Sequence, residues 1–208
     1  MPQSDIKNRI AKPFVKWVGG KRQLVERLRH RMPDTIDDYY EPFVGAGALF
    51  FDIAQDDTLS HGKMHINDVN ESLINCYVQI RDRCDDVMSL IDGYDEKINS
   101  CDSDEDAKQA YYALRTKYND RLTSSTFDVE TAAMFISVNK HCFNGVYRVN
   151  GKGLFNVPYN GARVPSYEAD NIRAVSDVLQ GVDITCGDFV DAVKTAKAGD
   201  FVFLDSPY

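Results

Sequence analysis

Hydrophobic residues gather into four short runs, each followed by polar or glycine-rich positions. We predict strands at these runs, Tyr39–Val44, Met64–Asn67, Ile184–Cys186 and Phe201–Leu204. Apolar residues at helical spacing lie between them and predict helices over Glu71–Ile80, Asp170–Leu179 and Val190–Ala196. The last run is apolar throughout, which is typical of a strand buried on both faces. Strands that alternate with helices predict an α/β fold with a parallel sheet.

The alternation stops between residues 81 and 165. Ser103 and Asp106 have the spacing of a capping box, and a second helix is predicted over 128–140. One apolar helical face follows the capping box and comprises Tyr111, Leu114, Tyr118 and Leu122. Two apolar runs then flank 150–153, an Asn-Gly-Lys-Gly sequence that predicts a β-hairpin. The middle of the chain is therefore predicted to be mainly helical, with one hairpin.

Charge is unevenly distributed along the 208 residues, whose net charge is −8. Residues 1–31 carry nine basic and two acidic side chains, and residues 140–163 carry four basic side chains and no acid. Residues 82–106 carry ten acidic side chains against two basic ones. Two local basic regions on an acidic protein favour a partner that touches one face, such as a phosphate backbone. Each region alone is equally compatible with ordinary surface charge.

The composition argues against membrane, secreted and metal-binding classes of protein. The sequence has no apolar run long enough to span a membrane, and its N-terminus lacks the apolar region of a secretory signal. The five cysteines are odd in number and form no CxxC pair. Free thiols in a reducing compartment are the simplest interpretation. We therefore expect a cytoplasmic protein without a metal.

A glycine turn between the first predicted strand and helix resembles a nucleotide-binding βα unit. Gly45 and Gly47 form a Gly-x-Gly sequence, but Phe50 occupies the third glycine position of the dinucleotide fingerprint, which weakens an NAD interpretation. Asp68 ends the second strand about 20 residues later, where a ribose-binding carboxylate is expected. Asp68 could instead cap the following helix, and Asn70 is a further candidate for that cap.

Polar and aromatic residues follow the last predicted strand directly. Ligands of open α/β sheets bind at the carboxyl ends of the strands, so Asp205 and Tyr208 would project into that crevice. A carboxylate beside an aromatic ring suits a planar heterocycle that carries an amino group. The alternative is a strand that ends in a simple Ser-Pro turn.

The predicted hairpin carries basic and amide side chains, namely Asn144, Arg148, Lys152 and Asn156. A two-stranded ribbon can enter a DNA major groove, where arginine reads guanine edges. An ordinary exposed hairpin is the alternative. Near the N-terminus, Lys16 and Lys21 bracket Trp17 and a Gly-Gly pair. This sequence is not a Walker A loop, because Arg22 stands where Ser or Thr is required.

Six motifs together resemble one family. They are Lys16-Trp-Val-Gly-Gly-Lys21, Glu41-Pro-Phe-Val-Gly-Ala-Gly47, Asn67-Asp68, Phe143-Asn-Gly145, Phe155-Asn-Val-Pro158 and Asp205-Ser-Pro-Tyr208. The motifs occur in the order seen in Dam-type DNA adenine-N6 methyltransferases, and the chain is similar to the DpnII-type modification enzymes among them. The resemblance covers nearly the whole chain.

The resemblance implies a role for each matched residue. The S-adenosylmethionine site would comprise Trp17, Lys21, Glu41, Phe43, Gly45, Gly47, Asp68, Asp188, Phe189 and Asp205. The family's catalytic Asp-Pro-Pro-Tyr matches Asp205, Ser206, Pro207 and Tyr208, and DNA would be contacted by Lys16, Asn144, Arg148 and Lys152. Residues 12–80 and 166–208 would form the catalytic domain, with a Rossmann-like methyltransferase sheet. Residues 81–165 would form an inserted, mainly helical target-recognition domain that carries the hairpin.

The implied activity is methyl transfer from S-adenosylmethionine to N6 of adenine in a short site of double-stranded DNA, with GATC as the best candidate. The target base would flip out of the duplex, and no metal is needed. Alternatives are a non-catalytic remnant that binds cofactor or DNA, and a methyltransferase for another planar amide such as a protein glutamine. A nicotinamide dehydrogenase is the least favoured.

Two departures from the family pattern lead to further expectations. Ser206 replaces the first proline of the catalytic motif, so its φ is not fixed. Family members also continue beyond this motif with the rest of the sheet. We therefore expect a sheet that is incomplete at the C-terminus, with Phe201–Leu204 as an open edge. Self-association through that edge, and little or no turnover by the 208 residues alone, would follow.

Overall fold

The computed structural model describes residues 10–20 and 23–206. Within these ranges the strands are β1 (Tyr39–Glu41), β2 (Met64–Asp68), β3 (Asp183–Cys186) and β4 (Phe201–Val202). The helices are α1 (Val25–Arg29), α2 (Ala48–Ala54), α3 (Glu71–Asn99), α4 (Asp104–Thr123), α5 (Val129–His141), α6 (Ala169–Val178) and α7 (Phe189–Ala192), with a 3₁₀ turn at Phe143–Gly145. The order of elements is that of an α/β fold.

The four strands form one parallel sheet in the order β3-β2-β1-β4. β4 lies beside β1, where Tyr39 pairs with Phe201. Both strands are shorter than predicted. Pro42 follows β1 and has no N–H for a ladder bond, while the Phe203 N–H still donates to the Tyr40 carbonyl over 2.8 Å. Among the described residues, no strand pairs with the outer edge of β4.

Helix α3 is much longer than the predicted Glu71–Ile80. Its second half lies in the acidic stretch, but its apolar side chains keep helical spacing and are buried at Val87, Met88, Ile91, Tyr94 and Ile98. Arg83 has non-helical backbone angles (φ −142°, ψ 42°) and kinks the helix. The predicted boundary between the two domains at residue 81 thus lies inside α3, close to the kink.

Helix α5 forms the centre of the core and packs against α3 and α4. Ala132, Phe135 and Ile136, predicted to face inward, are buried. The Ser103 hydroxyl accepts a hydrogen bond from the Asp106 N–H over 3.1 Å, which confirms the predicted cap of α4. The Asp128 carboxylate caps α5 in the same way through the Thr131 N–H at 2.9 Å.

Residues 11–16, called here the N-terminal segment, have no regular secondary structure. Side-chain amides take the place of a neighbouring strand, because each one bonds both the N–H and the carbonyl of a single residue. The pairs are Gln55 with Ala11 (2.9 and 2.9 Å), Asn171 with Lys12 (2.8 and 3.2 Å) and Asn139 with Lys16 (2.9 and 3.0 Å). Three different elements thereby restrain a segment that belongs to no sheet.

The predicted hairpin forms only in part, because its two arms are not regular strands. A turn does form at Asn150, whose N–H donates to the Leu154 carbonyl over 2.9 Å. The two arms, however, pair only at isolated bridges, Val149 with Phe155 and Cys142 with Tyr159. Side chains of α4 take the backbone bonds of the second arm, since Asn119 bonds both Phe155 N (2.8 Å) and Phe155 O (3.0 Å) and Tyr111 donates to Val157 O (2.9 Å). The second arm is consequently bonded to α4 and forms no two-stranded ribbon.

Candidate functional site

Acidic residues meet at the carboxyl edge of the sheet. Glu41 ends β1 and Asp68 ends β2, while Asp205 follows β4 two residues beyond the backbone bond of Phe203. Because all strands are parallel, these ends lie at one edge. The charge of Asp205 is close enough to act on Glu41. The structure therefore brings together three of the predicted site carboxylates.

Asp68 is a half-buried carboxylate that organises two loops. Its Oδ2 accepts a hydrogen bond from Gly45 N (3.1 Å) and its Oδ1 accepts one from Asn70 N (2.9 Å). Burial raises the pKa of Asp68, and these backbone hydrogen bonds oppose that shift. The cap of α3 is Asn70, which accepts from Leu73 N over 3.0 Å. Of the two interpretations left open for Asp68, the helix cap is thus wrong.

Glu41 is the most deeply buried acid of the site, with 4% of its surface exposed. The Tyr39 hydroxyl donates to Glu41 Oε2 over 2.7 Å. Burial raises the pKa of Glu41 to about 8; the Tyr39 and Phe50 hydrogen bonds oppose this shift and the charge of Asp205 adds to it. At neutral pH the Glu41 carboxyl is therefore mainly protonated.

The indole of Trp17 lies against the glycine turn that follows β1. Gly45 (φ +50°) and Gly47 (φ +70°) both have left-handed backbone angles, which favour glycine. A Cβ on Gly45 would lie 2.8 Å from Trp17 Cδ1, and one on Gly47 would lie 2.7 Å from the Tyr77 hydroxyl. The predicted site residues Trp17 and Gly45 are therefore in contact range, and the turn has no room for a side chain at either glycine.

Two aromatic rings lie beside the carboxyl edge of the sheet. The rings of Phe43 and Phe189 have centroids 5.2 Å apart and an interplanar angle of 32°. Phe189 is 42% exposed, so one of its faces is available to a ligand. The preceding Asp188 accepts from Val190 N (2.8 Å) and caps α7. The sequence analysis placed Asp188 in the cofactor site, and the structure shows that Asp188 also caps α7.

Asn67 is a site residue that sequence reasoning missed. Its buried amide donates to the Pro42 carbonyl (3.1 Å) and the Gly187 carbonyl (3.0 Å), and so ties the loop after β1 to the loop after β3. The available signal was that β2 ends in two consecutive polar residues, of which only Asp68 was assigned a role. Asn67 thus fixes the distance between the two loops that carry Phe43 and Phe189.

The predicted DNA-binding side chains lie on the irregular hairpin and the N-terminal segment. Lys16, Asn144, Arg148 and Lys152 are all exposed. Asn144 has a left-handed backbone (φ +56°), and its neighbour Phe143 is 57% exposed, a second feature that sequence reasoning did not assign. Arg148 is oriented by Asn156, whose Oδ1 accepts from Arg148 Nε over 2.8 Å. The group thus combines cations, an amide and an aromatic ring in contact with solvent.

The N-terminal segment lies against the hairpin. Trp17 stacks on Tyr147 with centroids 5.4 Å apart and an interplanar angle of 21°. A cleft of about 350 Å³ is lined in part by Lys16, Trp17, Gly20, Ala46 and Lys140. A second cleft, of about 280 Å³, lies at the sheet edge and is lined in part by Glu41, Pro42, Asn67, Gly187 and Asp188. Both clefts therefore reach residues of the predicted cofactor site.

Three predicted site residues, Lys21, Pro207 and Tyr208, lie outside the described residues. Ser206 is exposed after β4. In the ranges 10–20 and 23–206, no group of His, Cys, Asp and Glu has the arrangement of a metal site, and no helix is long and apolar enough to cross a membrane. All five cysteines are free thiols, as predicted.

Comparisons with known proteins agree with the geometry of the sheet edge. A family model described as D12 class N6 adenine-specific DNA methyltransferase matches residues 17–208. A type II methyltransferase of Lactococcus lactis subsp. cremoris is 39% identical over 206 residues, which cover 97% of this chain and 68% of the relative. One from Methanocaldococcus jannaschii is 36% identical over 203 residues, covering 95% of this chain and 69% of the relative. A DNA adenine methylase of Serratia marcescens is 32% identical over 196 residues, covering 94% and 66%. The chain therefore belongs to the D12 class of N6 adenine-specific DNA methyltransferases.

Proposed function

We propose that this protein transfers a methyl group from S-adenosylmethionine to N6 of an adenine in a short duplex site, with GATC as the best candidate. The observation that carries the proposal is the meeting of Glu41, Asp68 and Asp205 at one sheet edge beside the glycine turn. Two relatives are named type II methyltransferases, which supports a role in a restriction-modification system.

The residues of the edge fit an adenosyl group with a cationic tail. Asp68 accepts ribose hydroxyls with the lone pairs that Gly45 and Asn70 leave unused, since a carboxylate has about four acceptor positions. The Phe189 ring packs against Phe43 on one side and offers its exposed side to the adenine ring. The charge of Asp205 disfavours the ionised form of Glu41, and a ligand cation between the two carboxyl groups favours it. The methionine part of the cofactor supplies that cation, Trp17 lies over the glycine turn, and the family resemblance assigns Lys21 to the same site.

Asp205 prepares the amino group of the target adenine for reaction. S-adenosylmethionine supplies an electrophilic methyl group on a positively charged sulfur. The Asp205 carboxylate and the Ser206 carbonyl accept the two N6 hydrogens, which directs the nitrogen lone pair away from the ring. As the new N–C bond forms, the S–C bond breaks and positive charge moves to the nitrogen, where Asp205 offsets it. The N6 proton then leaves to Asp205 or to water.

The target base must leave the duplex to reach this edge, so the mechanism requires base flipping with Tyr208 stacked on the flipped ring. The exposed side chains of the hairpin hold the surrounding duplex. Phe143 has the character of the apolar wedges that occupy space between base steps. Residues 81–165 would then act as the recognition part of the protein.

The proposal is tested by calorimetric titration with S-adenosylmethionine and with NAD, followed by methylation of a GATC duplex. We expect binding of S-adenosylmethionine alone, and tritium transfer to the GATC duplex but not to one in which N6-methyladenine already replaces the target base. Binding of NAD, or labelling that is independent of the target adenine, would contradict the proposal.

Asp68→Ala is expected to weaken cofactor binding by about 1.5–3 kcal/mol, the range for a lost hydrogen bond to a charged group. Because Asp68 also holds the glycine turn through Gly45, the matched variant is Asp68→Asn, which keeps the shape and one acceptor but loses the charge. We expect an intermediate loss for it, measured by calorimetry with S-adenosylhomocysteine. Unchanged affinity in both variants would remove Asp68 from the site.

Arg148→Ala is expected to cost about 1–3 kcal/mol of DNA affinity and to relax specificity at one base, because a guanidinium held by Asn156 can pair with a guanine edge. The control is Lys152→Ala on the tip of the same hairpin, for which we expect equal weakening on all sequences and a smaller salt dependence. Fluorescence anisotropy with single-base variants of the duplex separates the two. A sequence-independent loss in Arg148→Ala would assign Arg148 to phosphate.

A further inference from the structure

Asn139 differs from the two other amides that restrain the N-terminal segment. Gln55 and Asn171 bond only one residue of the segment and hold its early part, at Ala11 and Lys12. Asn139 accepts from Lys16 N, donates to Lys16 O, and also donates to Gly145 O over 3.2 Å. Only 2% of its surface is exposed. One buried side chain thus bonds both the segment and the 3₁₀ turn of the hairpin.

The two backbones that Asn139 joins are in close approach. Gly145 has a left-handed backbone (φ +63°), and the Lys16 side chain occupies the space that a Cβ on Gly145 would need. The Asn139 amide and the Gly145 carbonyl are buried, so the carbonyl is left without this partner when the amide is removed. Because hydrogen bonds are directional, the Asn139 amide fixes how the backbones of Lys16 and Gly145 lie relative to each other. Apolar packing alone does not do this.

Each side of the junction leads to a different part of the proposed site. Lys16 precedes Trp17, which lies over the glycine turn at Gly45. Gly145 follows the exposed Phe143 and Asn144, which face solvent with the DNA-binding cations. A continuous series of contacts therefore connects the exposed turn at Phe143 and Asn144 to the glycine turn at Gly45. Its central link is the Asn139 side chain in the core.

We propose that Asn139 is a positioning residue that couples cofactor binding to DNA binding. The inference rests on the proposed function, since it requires that both ligands bind. DNA that holds Asn144 also fixes Gly145; through the Asn139 amide this fixes Lys16 and the Trp17 ring over the cofactor turn. Because coupling free energies are reciprocal, bound cofactor strengthens DNA binding by the same factor. In this role Asn139 acts through the backbones of Lys16 and Gly145.

The test compares Asn139→Ala with Asn171→Ala, which removes the same pair of bonds from the same segment but has no bond to the hairpin. Affinity for a GATC duplex is measured by anisotropy with and without S-adenosylhomocysteine. We expect the cofactor product to strengthen DNA binding about 5–150-fold in the wild type, the usual range of allosteric coupling. Asn171→Ala should keep this factor, whereas Asn139→Ala should bring it within about twofold of one.

Trp17 gives a second readout, because it is the single tryptophan of the sequence. Duplex alone should change the Trp17 emission in the wild type and in Asn171→Ala, and should leave it unchanged in Asn139→Ala. A third measurement needs no variant. Hydrogen exchange of the wild type should show stronger protection of the Lys16 N–H when duplex alone is added, with no change at the Lys12 N–H.

The outcomes separate the inference from the proposed function. A wild-type protein that binds neither ligand would overturn both. A wild type that binds both ligands, combined with full coupling in folded Asn139→Ala, would overturn the inference alone. If Asn139→Ala does not fold, hydrogen exchange decides, since an unchanged Lys16 N–H on addition of duplex contradicts the proposed path.

Discussion

Replacing Asp205 with asparagine is expected to lower kcat for adenine methylation by about two to three orders of magnitude, the usual effect of removing one preorganised partner of the developing charge. The isosteric amide keeps the volume at the carboxyl end of β4, but it presents an N–H as readily as an acceptor and carries no charge. KM for duplex should change little, because the lost interaction strengthens only as the methyl group moves.

The comparison is made under saturating cofactor and duplex, by tritium transfer in a single turnover. It uses the 208-residue chain or, where its rate is too low to measure, the chain continued with the C-terminal segment of the Lactococcus lactis relative. Asp177→Asn is the control, since Asp177 is an exposed acid in α6 that lines neither cleft. A kcat for Asp205→Asn within a few-fold of the wild type would show that Asp205 does not contact the reacting nitrogen.

Cofactor affinity is expected to rise with pH because Glu41 must ionise to hold a cationic ligand. With a pKa of about 8, the Glu41 carboxyl binds a proton at pH 6 that the bound cation displaces. Linkage then predicts an affinity gain of roughly 20-fold between pH 6 and 7.5, a range in which an α-amino group of the ligand stays charged. Glu41→Gln should bind more weakly at pH 7.5 and show a nearly flat profile.

Calorimetry in buffers of different ionisation enthalpy measures this effect directly as proton release on binding at pH 7. Thermal stability should change in the opposite direction. The pKa of Glu41 lies above its unfolded value, so the folded chain holds more protons between about pH 4.5 and 8, and stability falls as pH rises through that window. A pH-independent affinity in the wild type would show that Glu41 stays neutral when the ligand binds.

The sequence was most informative where the signal is local. The apolar run at Phe201 and the strand before Gly45 predicted which strands form the sheet and which residues meet at its edge. The capping-box spacing of Ser103 and Asp106, which are three residues apart, predicted the start of α4. Each of these signals depends on neighbours along the chain, and such neighbours can be read without a structure.

Long-range bonds explain what the sequence did not predict. The second half of α3 is acidic, and only the packing of residues such as Ile91 and Ile98 against the core makes it a continuous helix. The hairpin arms are irregular where the Val157 carbonyl accepts from the Tyr111 hydroxyl, 46 residues away in the chain. An isolated asparagine in a sequence suggests a cap or a turn. Asn67 stands in a polar pair at the end of β2, but the sequence does not show which distant segments Asn67 or Asn139 joins.

The kink at Arg83 is a point at which a small change in the angle of α3 displaces the far end of the helix by several ångströms. Sixteen residues separate Arg83 from the end of α3 at Asn99, a length of about 24 Å at 1.5 Å per residue. A rotation of about 10° at the kink moves the far end of the arm by about 4 Å over that length, which exceeds the spacing of two stacked base pairs. We expect a duplex that binds the helices beyond Arg83 to change the angle of α3 at this one backbone position.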